Sequence, residues 1–399
     1  MVWVVCPILQ GEGVDVNRTY NTFVDNGLFI LAYYLNKNIQ DITEKDIENN
    51  IDMMSKKIEE FFDSETFSNL RTMTCQNSYM TQKPKKGTRA EAFAHTIKNF
   101  GLGEDCCEVC GEYKANSRTR LTRSYFPTKT ANSFYNFSNN LMGLNICSHC
   151  VALAMYSVLN CRVASGKVVL YNSDNNDFMK EYTNKMQEDN MKQISMGTFI
   201  KNKREKETKL SLLTKLFDEK QKMKRKKDKY YIEITNFVNS GQSEKIEYDS
   251  MNSKSVKLLE KLYEDEVEEE FMRLGLGKDL LNNKLNTNYI YRIYDFEKEE
   301  LKCSIELFDF LKKEVNQLNE ELIQIIEKIA FKVEFDKKLR NELKGVFTYN
   351  DFNNFLVRLN EDYYEAKGER LFTTKEYLTL SNKMKFKEIK NLLLVSSLD

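Results

Sequence analysis

From Asp46 to Phe62 apolar residues recur at spacings of three and four, with Ile47, Ile51, Met54, Ile58 and Phe61 on one face. That period predicts an amphipathic helix with a buried stripe. Upstream, FVDNGLFILAYYL is apolar on all sides, the pattern of a helix inside a core, and Val2 to Val5 reads as a strand. The β-branched pair Val168 and Val169 in KVVLYN (167–172) and the run YYIEITNFV (230–238) predict two further strands. After residue 250 the texture changes to long Leu/Ile/Lys/Glu segments with no Pro. There Phe308, Leu311, Val315, Leu318, Leu322, Ile325 and Ile329 alternate spacings of three and four, which predicts one continuous helical seam. Helices are also expected at 252–275, 335–346, 350–366 and 374–395, with turns near Gly345 and Gly368. Such short connections imply a compact antiparallel bundle.

The fold class that follows is α+β: a mixed N-terminal module with an inserted four-cysteine zinc site, then an all-α C-terminal helical bundle. The expected boundaries are 1–250 for the module, with its zinc region at about 100–165, 251–290 for a helical connector and 291–399 for the bundle. A chain of 399 residues exceeds what one core usually supports, so more than one folding unit is expected.

Charge changes the picture only locally. Sixty basic residues balance sixty acidic ones, so any contact with a polyanion must come from patches. Candidates are Lys83, Lys85, Lys86 and Arg89, the set Arg118, Arg120 and Arg123, and Lys224, Arg225, Lys226 and Lys227. The last group closes a stretch, 201–229, with thirteen basic against five acidic residues. The run 201–229 reads first as a solvated face or loop and second as a phosphate-contacting patch, and the arginine set reads as a phosphate-facing stripe or as side chains packed on the zinc module through their stems. The opening MVWVVCPILQGEG lacks the charge pattern of a signal peptide, and the apolar stretch 141–160 is broken by Asn145, Ser148 and His149. A soluble, cytoplasmic protein without a membrane span is expected.

Four of the nine cysteines form two CxxC pairs, Cys107/Cys110 and Cys147/Cys150, with thirty-six residues between them. Two such knuckles supply the four sulfurs of a tetrahedral Zn(II) site, and four protein ligands leave no open position, so the metal is expected to be structural. The long separation predicts an inserted subregion. Gly111 after the first pair suits a turn that needs positive φ. A redox CxxC, a chance pairing of core cysteines, and His149 as a replacement ligand compete with this reading. Cys106 adjoins Cys107, but only Cys107 forms a CxxC with Cys110. Cys6, Cys75, Cys161 and Cys303 read as small buried residues.

With two histidines, His95 and His149, a catalytic triad or a His-based metal site has almost no raw material. No phosphate-binding loop, dinucleotide fingerprint or HExxH occurs. A carboxylate-only metal nuclease stays open in principle, but no acidic spacing singles one out.

The stretches CEVCGEYKANSRTRLTRSYFP and NLMGLNICSHCVALAMYSVLNCRVASGKVVLYNSD resemble the zinc region of the CXXC-CXXC large subunit of type I-B CRISPR interference complexes, and YNTFVDNG resembles that family's opening motif. The resemblance covers about residues 15–175. Thr22 stands where members often carry Pro, and the chain is short for the family. It implies a non-catalytic subunit of a crRNA-guided complex (Cascade) containing backbone, crRNA-capping and small subunits. Such a subunit binds target double-stranded DNA at the protospacer-adjacent motif, helps open the duplex and recruits a helicase-nuclease. It further implies a bundle akin to a separate small subunit, for which Met251 and Met272 offer internal starts. The alternative is a stand-alone zinc-ribbon protein with a nucleic-acid-binding or regulatory role.

Overall fold

The computed structural model describes residues 16–74, 84–100, 105–111, 114–115, 135–136, 141–142, 146–196, 229–240, 243–285, 289, 293–295, 300–333 and 337–396. Val2 to Val5 lie outside them. The chain divides into two compact units, Met1–Ser250 and Met251–Asp399.

The first unit is mixed. Helix α1 (Thr22–Leu35) is buried almost throughout its first three turns, as its unbroken apolar run requires. Asn21 caps it by accepting from the amides of Phe23 and Val24, and Asn36, at φ 50°, ends it in the left-handed conformation. The predicted helix 46–62 is two helices, α2 (Glu44–Asn49) and α3 (Ile51–Asp63), broken at Asn50. All five stripe residues are buried all the same. Thr43 closes a capping box with Asp46 at the start of α2, which fixes where that helix begins. Helices α4 (Ser68–Thr74) and α5 (Arg89–Lys98) pack against α3. Helix α6 (Ser148–Tyr156) runs into a 3-10 turn, Ser157–Asn160, and α7 (Asn176–Met196) follows.

Two two-residue pairs, β1 (Asp105–Cys106) with β2 (Lys114–Ala115) and β3 (Tyr135–Asn136) with β4 (Leu141–Met142), lie between α5 and α6. The main sheet has the order β5 (Arg162–Ala164), β6 (Lys167–Ser173), β7 (Ile232–Ser240), β8 (Ser243–Met251). Both predicted strands are in it, as β6 and β7, paired antiparallel with Val168 opposite Phe237 and Tyr171 opposite Ile234.

Helices α1 and α6 make the most extensive helix–helix contact among the described residues of this unit. A Cβ on Gly27 would stand 1.7 Å from the carbonyl oxygen of Leu153, so only glycine lets the two backbones meet. Around this contact several buried polar side chains are hydrogen-bonded between elements, although among the described residues the Tyr156 hydroxyl of α6 is buried without such a partner. Asn26 donates to the Tyr171 carbonyl at 2.8 Å and accepts from Asn160 at 2.9 Å, while Asn160 accepts in turn from Gln187 of α7 at 2.9 Å. Asp25 accepts from the Thr19 amide at 2.8 Å and from Arg18 Nε at 3.0 Å, and Arg18 also donates to Asn172 and to the Ser173 carbonyl. Buried polar groups held this way fix one arrangement of helix on sheet.

Among its described residues the second unit is helical apart from the end of β8 and one pair of two-residue strands, β9 (Tyr294–Asp295) with β10 (Glu300–Leu301). The expected helix 252–275 is split into α8 (Ser253–Glu264) and α9 (Glu268–Arg273) by Glu266, at φ 59°, and α10 (Leu276–Leu281) follows. The expected continuous seam is interrupted as well. Helix α11 (Ile305–Phe310) widens into a π-turn at Leu311–Val315, Gln317 turns left-handed at φ 51°, and α12 (Glu320–Lys332) restarts on the Asn319 cap. All seven seam residues are nonetheless buried. Helices α13 (Lys337–Lys344) and α14 (Tyr349–Lys367) lie at the expected places, with Gly368 as the left-handed C-cap of α14. The stretch 374–395 is α15 (Thr374–Leu380) and α16 (Phe386–Ser396). The last helix is the hub of its unit: Ile389, Leu392, Leu393 and Leu394 are fully buried, and it packs against α12, α13 and α14.

Candidate metal centre

The two CxxC pairs, forty residues apart from first cysteine to first cysteine, meet in space. The Sγ atoms of Cys107, Cys110, Cys147 and Cys150 all lie within 4.8 Å of one another, with Cys110 and Cys147 at 3.9 Å. A tetrahedron with metal–sulfur bonds of about 2.3 Å has edges of about 3.8 Å, so the four sulfurs already surround a metal-sized space. None of the four is in a disulfide, and all but Cys110 are buried.

Each knuckle is built locally. The first is the tip of the β1–β2 hairpin. There the Gly111 amide donates to the Cys107 carbonyl at 2.8 Å, and Gly111 takes φ 71°, as expected from its place after the pair. The second is the first turn of α6. Cys147 is its N-cap, with Sγ accepting from the Cys150 amide at 3.4 Å. A second amide-to-sulfur bond ties the knuckles together, the Cys147 amide donating to Cys107 Sγ at 3.4 Å. Peptide N–H groups and the positive end of α6 thus face the sulfurs, where a tetrathiolate complex would carry excess negative charge.

Hydrogen bonding from Cys110, then from Cys147 and Cys150, lowers the Cys107 thiol below its ordinary range, and the same contacts with Cys107 raise Cys147 and Cys150. A bound cation would displace the thiol protons. Four sulfur donors with no oxygen or histidine among them suit a thiophilic ion, and they leave no ligand position for water or substrate.

His149, inside the second pair, is not in the cluster; its Nε2 lies 3.1 Å from Glu48 of α2. Cys106 also stands outside it, as register had required. Cys161 is buried, whereas Cys303 is only half-buried.

The candidate basic residues fare differently. Lys85 and Lys86 are exposed just ahead of α5. Arg89 is committed to the fold: its Nη1 meets Asp63 at 2.9 Å and its amide donates to Glu59 at 2.8 Å. Lys83, Arg118, Arg120, Arg123, Lys224, Arg225, Lys226 and Lys227 lie outside the described residues. Sequence reading missed the role of Asn160 and Gln187 in seating α6. Their partners are many residues away, and nothing local in the sequence marks them.

No protein-family model matches the chain, and no curated protein matches it in sequence. Among the described residues no helix is long and apolar enough to cross a membrane.

Proposed function

We propose that the four cysteines bind one structural Zn(II), and that the chain is the non-catalytic large subunit of a crRNA-guided type I-B CRISPR interference complex. In this reading it binds target double-stranded DNA at the protospacer-adjacent motif, aids duplex opening and recruits the helicase-nuclease. One observation carries the proposal. The opening motif and the second of the two zinc-region stretches that resemble the family are separated by more than a hundred residues, yet they pack together. The YNTFVDNG segment supplies the Asn21 cap, the Asp25 and Asn26 anchors and the Gly27 crossing, and α6, which carries the second knuckle, rests on that crossing. The sulfur cluster anchors α6 at its N-terminus, so metal and motif act on the same core.

In this reading Lys85 and Lys86, exposed just ahead of α5, are the described basic residues that contact the phosphate backbone. The test is copurification with the products of neighbouring genes, followed by sequencing of bound RNA. A crRNA-containing assembly is expected. Recovery of the chain alone, free of RNA, would favour the stand-alone zinc-ribbon reading, and Mg(II)- or Mn(II)-dependent DNA cleavage by the purified chain would overturn the non-catalytic one.

A further inference from the structure

Helix α7 changes character at Thr183. Ahead of it Phe178, Met179 and Tyr182 are buried, with the Phe178 ring 5.8 Å from that of Tyr230 and Tyr182 edge-on to Tyr171 of β6 at 5.4 Å. From Thr183 to Ser195 the buried positions are Thr183, Gln187 and Asn190, spaced four and three apart, and every apolar side chain is at least partly exposed, Ile194 at 40% and Met191 at 48%. This half of the helix therefore turns a polar face inward, the reverse of an ordinary amphipathic helix. Hydrogen bonds hold it. Asn160 donates to Thr183 Oγ1 at 3.1 Å, Gln187 and Asn190 donate to the Leu159 carbonyl at 3.2 and 2.8 Å, and Tyr34 donates to Gln187 at 3.2 Å. Arg162 of β5 donates to the Met186 carbonyl at 2.9 Å and lies 3.4 Å from the Asp189 carboxylate. Two acceptors on the same half, Asn190 Oδ1 and Gln193 Oε1, are buried without a hydrogen-bond partner among the described residues. At its end a groove of about 300 Å³ opens between Gln193 and Ile194 on one side and Asp63, Ser64 and Thr66 on the other.

We propose that α7 from Thr183 onward is a latch, which undocks as one piece from the Ser157–Asn160 turn and β5 while the part through Tyr182 stays fixed. Solvation decides this. Releasing an apolar face puts it in water and is opposed by the hydrophobic effect, whereas releasing this face exchanges hydrogen bonds to protein for hydrogen bonds to water and gives the two orphan acceptors the partners they lack when docked. The catch is Arg162, whose guanidinium is only 8% exposed and is held against the Phe67 ring at 5.3 Å, so it stays with β5 when the helix leaves. Asn160 is shared between the latch and the core, since the same amide group that donates to Thr183 donates to Asn26 of α1. Opening the latch therefore loosens the seat of α1 on the turn that ends α6. The device rests neither on the metal nor on the function proposed above.

Hydrogen exchange of the full chain, read residue by residue by mass spectrometry with electron-transfer fragmentation, tests the latch. Amides 187–195 are expected to share one protection factor, about a hundred-fold below that of amides 152–156 in α6, as a unit that opens together does. Fraying would instead give protection that rises steadily inward from the helix end. Asp189→Asn keeps the shape and removes the charge that faces Arg162, so it should lower the shared protection about ten-fold further and leave the Tyr182 amide unchanged. Asn190→Leu replaces an orphan acceptor by an apolar side chain of similar size while the Leu159 carbonyl keeps Gln187, so it should raise the shared protection about ten-fold. Protection equal to that of α6, or a gradient from the helix end that Asp189→Asn leaves unchanged, would overturn the proposal. So would an Asn190→Leu variant that exchanges faster than the parent, because the Asn190 acceptor would then hold a water that the docked helix needs.

Discussion

The two units are stabilised in opposite ways. In the first, α1 and α6 meet although well over a hundred residues of chain separate them, and the meeting depends on single positions: one glycine, one buried Asp–Arg pair, one asparagine chain and four sulfurs. In the second, neighbouring segments pack on one another, and capping boxes, ion pairs and the apolar face of α16 share the task. Non-local contact concentrates the cost of error, because ordering a long loop is opposed by chain entropy until the final contact forms. Local contact spreads it. Damage in the first unit should therefore be large and cooperative, and damage in the second small and graded.

The largest effect expected is loss of the metal. Structural tetrathiolate sites contribute on the order of 10 kcal/mol of folding free energy. Here three of the four cysteines belong to the core itself. Cys147→Ser, or a strong chelator, should open residues 16–196 to protease while 251–396 stay protected, and hydrogen exchange by mass spectrometry reads both at once. Equal loss of protection in the two units would break the contrast. Full metal content in the quadruple Cys→Ser variant, measured by atomic emission, would remove its basis.

Next in size is Asp25→Ala. Asp25 is fully buried and accepts from Arg18, so truncation strands a guanidinium that is only 10% exposed, a change that costs about 3–5 kcal/mol. Thermal unfolding should show the first transition moving and the second fixed. Gly27→Ala follows, at about 2–3 kcal/mol, since the new methyl would meet the Leu153 backbone and force α1 and α6 apart. Because α6 begins with Cys147 and Cys150, the same variant should also release its metal faster to a chelator, whereas a volume change on the far side of α1 should not.

What could be read from the sequence follows the same division. The cysteine site was legible because a CxxC turn is a local statement, and two of them in one chain leave few alternatives. The stripes of α2–α3 and of α11–α12 were legible as buried faces, yet their breaks were not. In the second case Phe308 to Ile329 keep the helical period across the interruption, because the π-turn at Leu311–Val315 and the left-handed Gln317 re-phase the chain so that Leu318 and Leu322 still face inward. Periodicity reports the face and is blind to the joint. The signal for the joint was Asn319 ahead of two glutamates, an N-cap with acidic first turn, just as Thr43 with Asp46 marked the start of α2. The asparagine chain from Asn26 through Asn160 to Gln187 had no local trace, since each partner is supplied by a different element.

The smallest effect expected gives the closest test of the contrast, because the same local device occurs in both units. Thr348 caps α14, its Oγ1 accepting from the Asp351 amide at 3.2 Å and the Asp351 carboxylate accepting from the Thr348 amide at 3.3 Å. Thr88 and Glu91 form the same box at α5, with Thr88 Oγ1 accepting from the Glu91 amide at 3.1 Å and Glu91 accepting from the Thr88 amide at 2.9 Å. Removing either hydroxyl by Thr→Ala should cost about 1 kcal/mol, because both boxes are exposed and water replaces part of what is lost. In the second unit that loss falls on a helix whose neighbours are mostly local, and it should appear as a shift of about 3 °C in its own transition. In the first unit the same substitution falls on a helix packed against α3, in the fold that the proposed metal would close, so Thr88→Ala should leave the midpoint of the untreated protein nearly unmoved if metal release limits unfolding. Calorimetry of the two variants without chelator measures both shifts. Equal shifts would show that the two units are stabilised alike; a shift confined to the second unit would show that the cysteine site sets them apart.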